Sequence, residues 1–138
     1  MNEVAAEQTY MLAQRFDKAL KTIRSAVAGM DLEVAGEIDV ADLLLHHPGT
    51  AARSRILLVD CPVLMFEALA LDRAAAVFFP LHIFVSAAGS QTFVSLINPA
   101  GLVDARLPVG AASPIERLQA RIVQALESAS RRSESNQH

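Results

Sequence analysis

Residues Leu81 to Ile97 read LHIFVSAAGSQTFVSLI, and the fold turns on how this stretch is read. It lies inside a run of 30 residues, Ala74 to Val103, that holds no Asp, Glu, Lys or Arg. A charge-free run of that length is long enough to cross a bilayer. Pro80, Gly89-Ser90-Gln91 and Asn98-Pro99-Ala100-Gly101 interrupt it at spacings that suit short strands instead. The run therefore predicts strands at Leu81–Ala87 and Gln91–Ile97, joined by a tight turn at Gly89-Ser90, and no membrane partner.

With Ala88 facing Gln91, the pairs run Ala87–Thr92, Ser86–Phe93, Val85–Val94, Phe84–Ser95, Ile83–Leu96 and His82–Ile97. Alternation puts Leu81, Ile83, Val85, Val94 and Leu96 on one aliphatic face, suited to packing under helices. The other face carries His82, Phe84, Ser86, Phe93, Ser95 and Ile97. A solvated sheet face normally carries charge, and this one has none. Three coverings fit it: a second copy of the chain, a small ligand contacted by the Ser and His side chains, or the 98–112 segment. Apolar patches of this kind mark interaction sites, so the expectation is a homodimer with this face at or near the interface, with a small-molecule ligand as the other candidate.

Outward from the hairpin, Arg55-Ile-Leu-Leu-Val59 is a compact apolar run that reads as a buried strand. Asp60-Cys61-Pro62 follows at once, and Val63–Leu71 reads as helix, with proline in the first turn where its missing N–H costs nothing. Downstream, Ser113-Pro114-Ile115-Glu116 is a capping box. Ile115, Leu118, Ile122, Ala125, Leu126 and Ala129 form the apolar stripe of the helix it opens. Residues 1–130 read as one domain, and Arg131–His138 as a disordered polar tail.

Upstream, Phe16, Leu20, Ile23, Val27 and Met30 recur at helical spacing, with Gly29 as a stop. A weakly signalled strand precedes them near Thr9–Ala13. Residues 32–38 read as a half-buried strand, with Leu32, Val34 and Ile38 on one side and Glu33 and Glu37 on the other. Asp39 then caps a short helix, Val40–His46. The order is β-α-β-(short α)-β-α-β-β-α, which predicts an α+β fold with a mostly antiparallel sheet and helices on one face.

The 138 residues suit one domain, and a 52% apolar share excludes disorder for most of the chain. Much of that share is alanine, 24 residues, which adds little buried volume. Net charge is −3 with no basic face, so no nucleic-acid partner is expected. The first 14 residues lack a basic region followed by an apolar run, and a cytoplasmic location is the expectation. One cysteine excludes an internal disulfide and a multi-thiolate metal centre.

Two residues carry the chemical candidates. Cys61, at a strand-to-helix turn, is either a small buried filler or a thiol favoured by the helix N-terminus. His82, on the uncharged face, is a base, a ligand contact or an interface residue. Together they define an alternative reading, a thiol-dependent enzyme or carrier. His46-His47 does not amount to a metal site, because adjacent residues point apart and no further ligand completes a set. No phosphate loop or other cofactor motif is present.

The segments Phe16-Asp17-Lys18-Ala19-Leu20, Leu32–Val40, Arg55–Pro62, Phe66-Glu67-Ala68-Leu69 and Phe79-Pro80 resemble, in order and spacing, the domain-of-unknown-function 302 family. The resemblance runs from about Tyr10 to about Leu126. It implies a small bacterial or archaeal α+β domain, usually self-associating, without an agreed activity. The family often has a cysteine where Cys61 stands and a second just after the proline that matches Pro80. Here that place is Leu81, followed by His82, so a role needing two thiols in one chain is closed to this protein.

Overall fold

The computed structural model describes residues 7–43, 53–97 and 113–135. Along the chain run β1 (Glu7–Leu12), α1 (Phe16–Gly29), β2 (Glu33–Asp39), the one-turn α2 (Val40–Leu43), β3 (Ser54–Asp60) and α3 (Pro62–Leu71). A 3-10 turn (Arg73–Phe78), β4 (Leu81–Ala88), β5 (Gln91–Ile97) and α4 (Ser113–Ser135) follow. The predicted α+β order holds. His46 and His47, and the 98–112 segment offered as a cover, lie outside the described residues.

The hairpin builds the sheet. β4 and β5 pair antiparallel with Ala88 opposite Gln91 and Ile83 opposite Leu96, as the alternation predicts. Gly89 takes φ +65°, a left-handed conformation that glycine adopts without steric cost. β1 adds to β5, β3 to β4 and β2 to β3, giving the order β1-β5-β4-β3-β2 with every pair antiparallel.

One face of the sheet is the core. Leu57, Val59, Ile83, Val85, Val94 and Leu96 are buried there. Helix α1 covers them with Phe16, Leu20, Ile23 and Val27, and α4 with Ile115, Leu118, Ile122 and Leu126. Helix α1 ends at Gly29, yet the left-handed residue at its exit is Asp31, at φ 58°. Aspartate tolerates that region better than most side chains.

Two elements depart from the sequence expectation. In β2 the register shifts between Val34 and Gly36, so Ala35 is the extra residue of a bulge. Val34 therefore faces the helices opposite Val59, while Ile38 stands opposite Ile56 on the outer face. Glu37 and Asp39 swing to the helix side. There Arg24 of α1 meets Glu37 at 2.5 Å, and Arg55 lies 3.6 Å from Asp39. The expected sharing of one face by Val34 and Ile38 is thus replaced by opposite faces.

Helix α4 also continues past Arg131, where the sequence predicts a polar tail, and runs to Ser135. Serines rather than apolar residues hold its last turns. The Ala13 N–H donates to Ser133 Oγ at 3.0 Å, and the Ser130 hydroxyl donates to the Met11 carbonyl at 3.1 Å. Ser133 is fully buried as a result.

Candidate functional site

The outer sheet face is best described by rows that cross the strands. One row runs Ile38–Ile56–Phe84–Ser95–Thr9 through all five strands. Beside it runs Gly36–Leu58–His82, and on its other side Ser54–Ser86–Phe93–Met11. None of these residues carries a formal charge, though Glu7, opposite Ile97 on the edge strand β1, and the Glu33–Asp60 pair border them. Phe84, Phe93, His82 and Thr9 are exposed, while Ile38, Ile56 and Ser95 are half-buried.

Along the central row the large Ile38, Ile56 and Phe84 give way to the small Ser95 and Thr9, and the surface holds a hollow here. The hollow has a volume of about 610 Å³ and is lined by Ile38, Ile56, His82, Phe84, Ser95 and Ile97. That size falls in the range of small-molecule sites. Its wall is aliphatic and aromatic, with an imidazole and a hydroxyl as the polar groups among these six residues. The imidazole donates at one nitrogen and accepts at the other when neutral, and the hydroxyl does both.

Four of the six residues expected on this face, His82, Phe84, Ser95 and Ile97, come together around the hollow. Ser86 and Phe93 share the face but sit one row away, with Ser86 Oγ 3.4 Å from Ser54 Oγ. Ile38 and Ile56 were not anticipated. Ile56 belongs to a run that is apolar on both faces, so alternation gives it no side, and Ile38 reaches the hollow only through the bulge.

Cys61 stands elsewhere. It ends the strand-to-helix connection as the N-cap of α3, with Pro62 following. Its side chain is 2% exposed in the helix-side core, where Arg121 Nη1 of α4 donates to Sγ at 3.5 Å. Asp60, opposite Glu33 on β2, accepts the Cys61 N–H at 2.7 Å. Burial raises the Asp60 carboxyl above its ordinary value; the hydrogen bond from Cys61 opposes the rise, and the Glu33 charge adds to it. The fold does not bring Cys61 and His82 together: the thiol faces α4, the imidazole faces the open side of the sheet. Among the described residues no three His, Cys, Asp or Glu side chains gather where a metal could be held. Nor is any described helix long and apolar enough to cross a membrane.

Comparison with known proteins agrees with this architecture. The chain superimposes on the crystal structure of an uncharacterized conserved DUF302 protein from Bacillus stearothermophilus with a TM-score of 0.82, covering 91% of this chain and 99% of that one. Their sequences are 14% identical, so the likeness is one of fold. No curated protein matches the chain. The family model described as domain of unknown function DUF302 matches residues 8–129, and the chain belongs to that family.

Proposed function

We infer that this domain is a small-ligand-binding module, and that the hollow on the open sheet face receives an uncharged, largely apolar molecule. The observation that carries this is the hollow of about 610 Å³, whose six lining residues carry no formal charge. Apolar walls supply binding through burial, at about 25 cal/mol per Å². His82 and Ser95 orient the ligand through hydrogen bonds, and a charged ligand finds no opposite charge among the six lining residues.

The test is loss of binding without loss of fold. Phe84→Asp places a charge in the wall of the hollow at an exposed position. A variant that melts like the wild type and no longer binds neutral amphiphiles supports the reading. Unchanged binding contradicts it.

A thiol-dependent activity at Cys61 is the second reading, supported by the Arg121 contact at the sulfur. It requires access that a 2% exposed side chain lacks. Iodoacetamide labelling of the native protein decides it: reaction as fast as for a free thiol favours thiol chemistry, and reaction only on unfolding opposes it.

A further inference from the structure

A second concavity lies where α1, the residue before β3 and the β4–β5 turn meet. This cleft has a volume of about 400 Å³. Among the described residues it is lined by Arg15, Asp17, Lys18 and Arg53, together with Phe16, Ala87 and Gly89. Three cations thus share the cleft with one carboxylate, in a chain whose net charge is −3. The fold gathers them from distant parts of the sequence, where the basic residues show no cluster.

Arg53 is held in place from three sides. Its guanidinium lies 4.7 Å from the centroid of the Phe16 ring. Its two Nη atoms donate to the Asp17 carboxylate at 2.9 and 3.2 Å. Its carbonyl accepts the Ala87 N–H at 2.8 Å, which ties it to β4. The Arg53 hydrogen bond holds the Asp17 carboxyl below its ordinary value, and the charges of Arg53, Arg55 and Lys21 lower it further against a small opposing effect of burial. Asp17 therefore balances one cation of the cleft. Arg15 and Lys18 make no ion pair among the described residues, and their charges remain unbalanced.

We propose that this cleft binds the phosphoryl group of a small dianion, held by the Arg15, Lys18 and Arg53 side chains. The two unbalanced positive charges match the charge of about −1.5 to −2 that a phosphate monoester carries at neutral pH. Guanidinium groups present a planar fork suited to phosphate oxygens, and the Lys18 ammonium adds a compact point charge. Arg53 is already ordered by Phe16 and Asp17, so less side-chain freedom is lost when the anion arrives. A monocarboxylate, with half the charge, gains about half the attraction. The cleft is separate from the uncharged sheet hollow, and the proposal is independent of the ligand assigned to that hollow.

Titration of 15N-labelled full-length protein tests the proposal, at low salt and about pH 7.5, where a phosphate monoester is dianionic. The probes are glycerol phosphate, inorganic phosphate and acetate. Saturable amide shifts are expected at Lys18, Arg53 and Gly89 with a phosphate probe, and binding of acetate about tenfold weaker or worse. Tighter binding of glycerol phosphate supports an organic ester as the ligand, and equal binding of the two supports recognition of the phosphoryl group alone. Arg15→Gln and Lys18→Gln, both at exposed positions, are each expected to weaken binding about fivefold. Arg53→Gln is expected to weaken it more, because it leaves Asp17 unbalanced in the cleft. Arg73→Gln, ahead of the opposite end of β4, is expected to change nothing. No saturable shift with either phosphate probe overturns the proposal. So does acetate binding as tightly as phosphate, or a loss on Arg73→Gln equal to that on Arg15→Gln.

Discussion

Ile38 and Ile56 are direct cross-strand partners on the open face of the sheet, and they meet there because Ala35 bulges out of β2. The same bulge turns Glu37 toward α1, where Arg24 receives it. One extra residue thus sets both an apolar wall of the hollow and an ion pair on the opposite side of the strand.

That ion pair is about one-third exposed at each partner, so it contributes little. Arg24→Ala is expected to cost about 0.5–1 kcal/mol in urea denaturation at low salt, and less at high salt. A cost that does not fall with salt would mean that Arg24 acts by packing its stem rather than by charge.

The two faces of β4 should respond differently to truncation. Ile83 is fully buried, and Ile83→Ala is expected to cost about 2–5 kcal/mol. Phe84 is 41% exposed on the other face, and Phe84→Ala should cost about 1 kcal/mol or less. Equal costs would contradict the assignment of the core to the helix side alone.

Helix α4 is tied to β1 through Ser133. Ser133→Ala removes the hydroxyl that accepts from Ala13 N–H and should cost about 1 kcal/mol. Hydrogen exchange should speed up in the last turns of α4 and around Ala13. Unchanged exchange there would contradict a clamp at this point.

The hairpin register, the order of elements and four lining residues of the hollow are legible in the sequence. Glycine at the turn, with the alternation of Leu81, Ile83 and Val85 before it and of Val94 and Leu96 after it, points to the register that the strands adopt. The bulge is not legible, because Val34-Ala35-Gly36 alternates acceptably whether or not Ala35 is paired. Ile56 is hidden for a related reason, since a strand apolar on both faces does not show which side chains are outermost. The extension of α4 escapes because hydrophobic period is the signal for helix, and its last turns are held by serine hydrogen bonds. The outward face of α3 is invisible for the opposite reason: apolar residues all round leave no contrast between inside and outside.

Asp60 gives stability a pH dependence of definite sign. A carboxyl raised above its ordinary value holds its proton more tightly when folded than when unfolded. Its favourable contribution is present at low pH and declines as pH rises from the ordinary carboxylate value through the raised folded value. Asp60→Asn keeps an oxygen for the Cys61 N–H and removes the charge. Its stability relative to the wild type should therefore improve from about pH 4 toward neutrality. A difference independent of pH would contradict the buried carboxyl as its source.

The uncharged hollow is tested most directly by titrating methyl-labelled protein with ten-carbon probes that share a chain and differ in head group: an alcohol, a carboxylate and an amine. The account predicts that the alcohol shifts the methyl resonances of Ile38, Ile56 and Ile97 in a saturable way, with binding of both charged probes about tenfold weaker or worse. No shift at these isoleucines with any probe, or equal binding of all three, would contradict it.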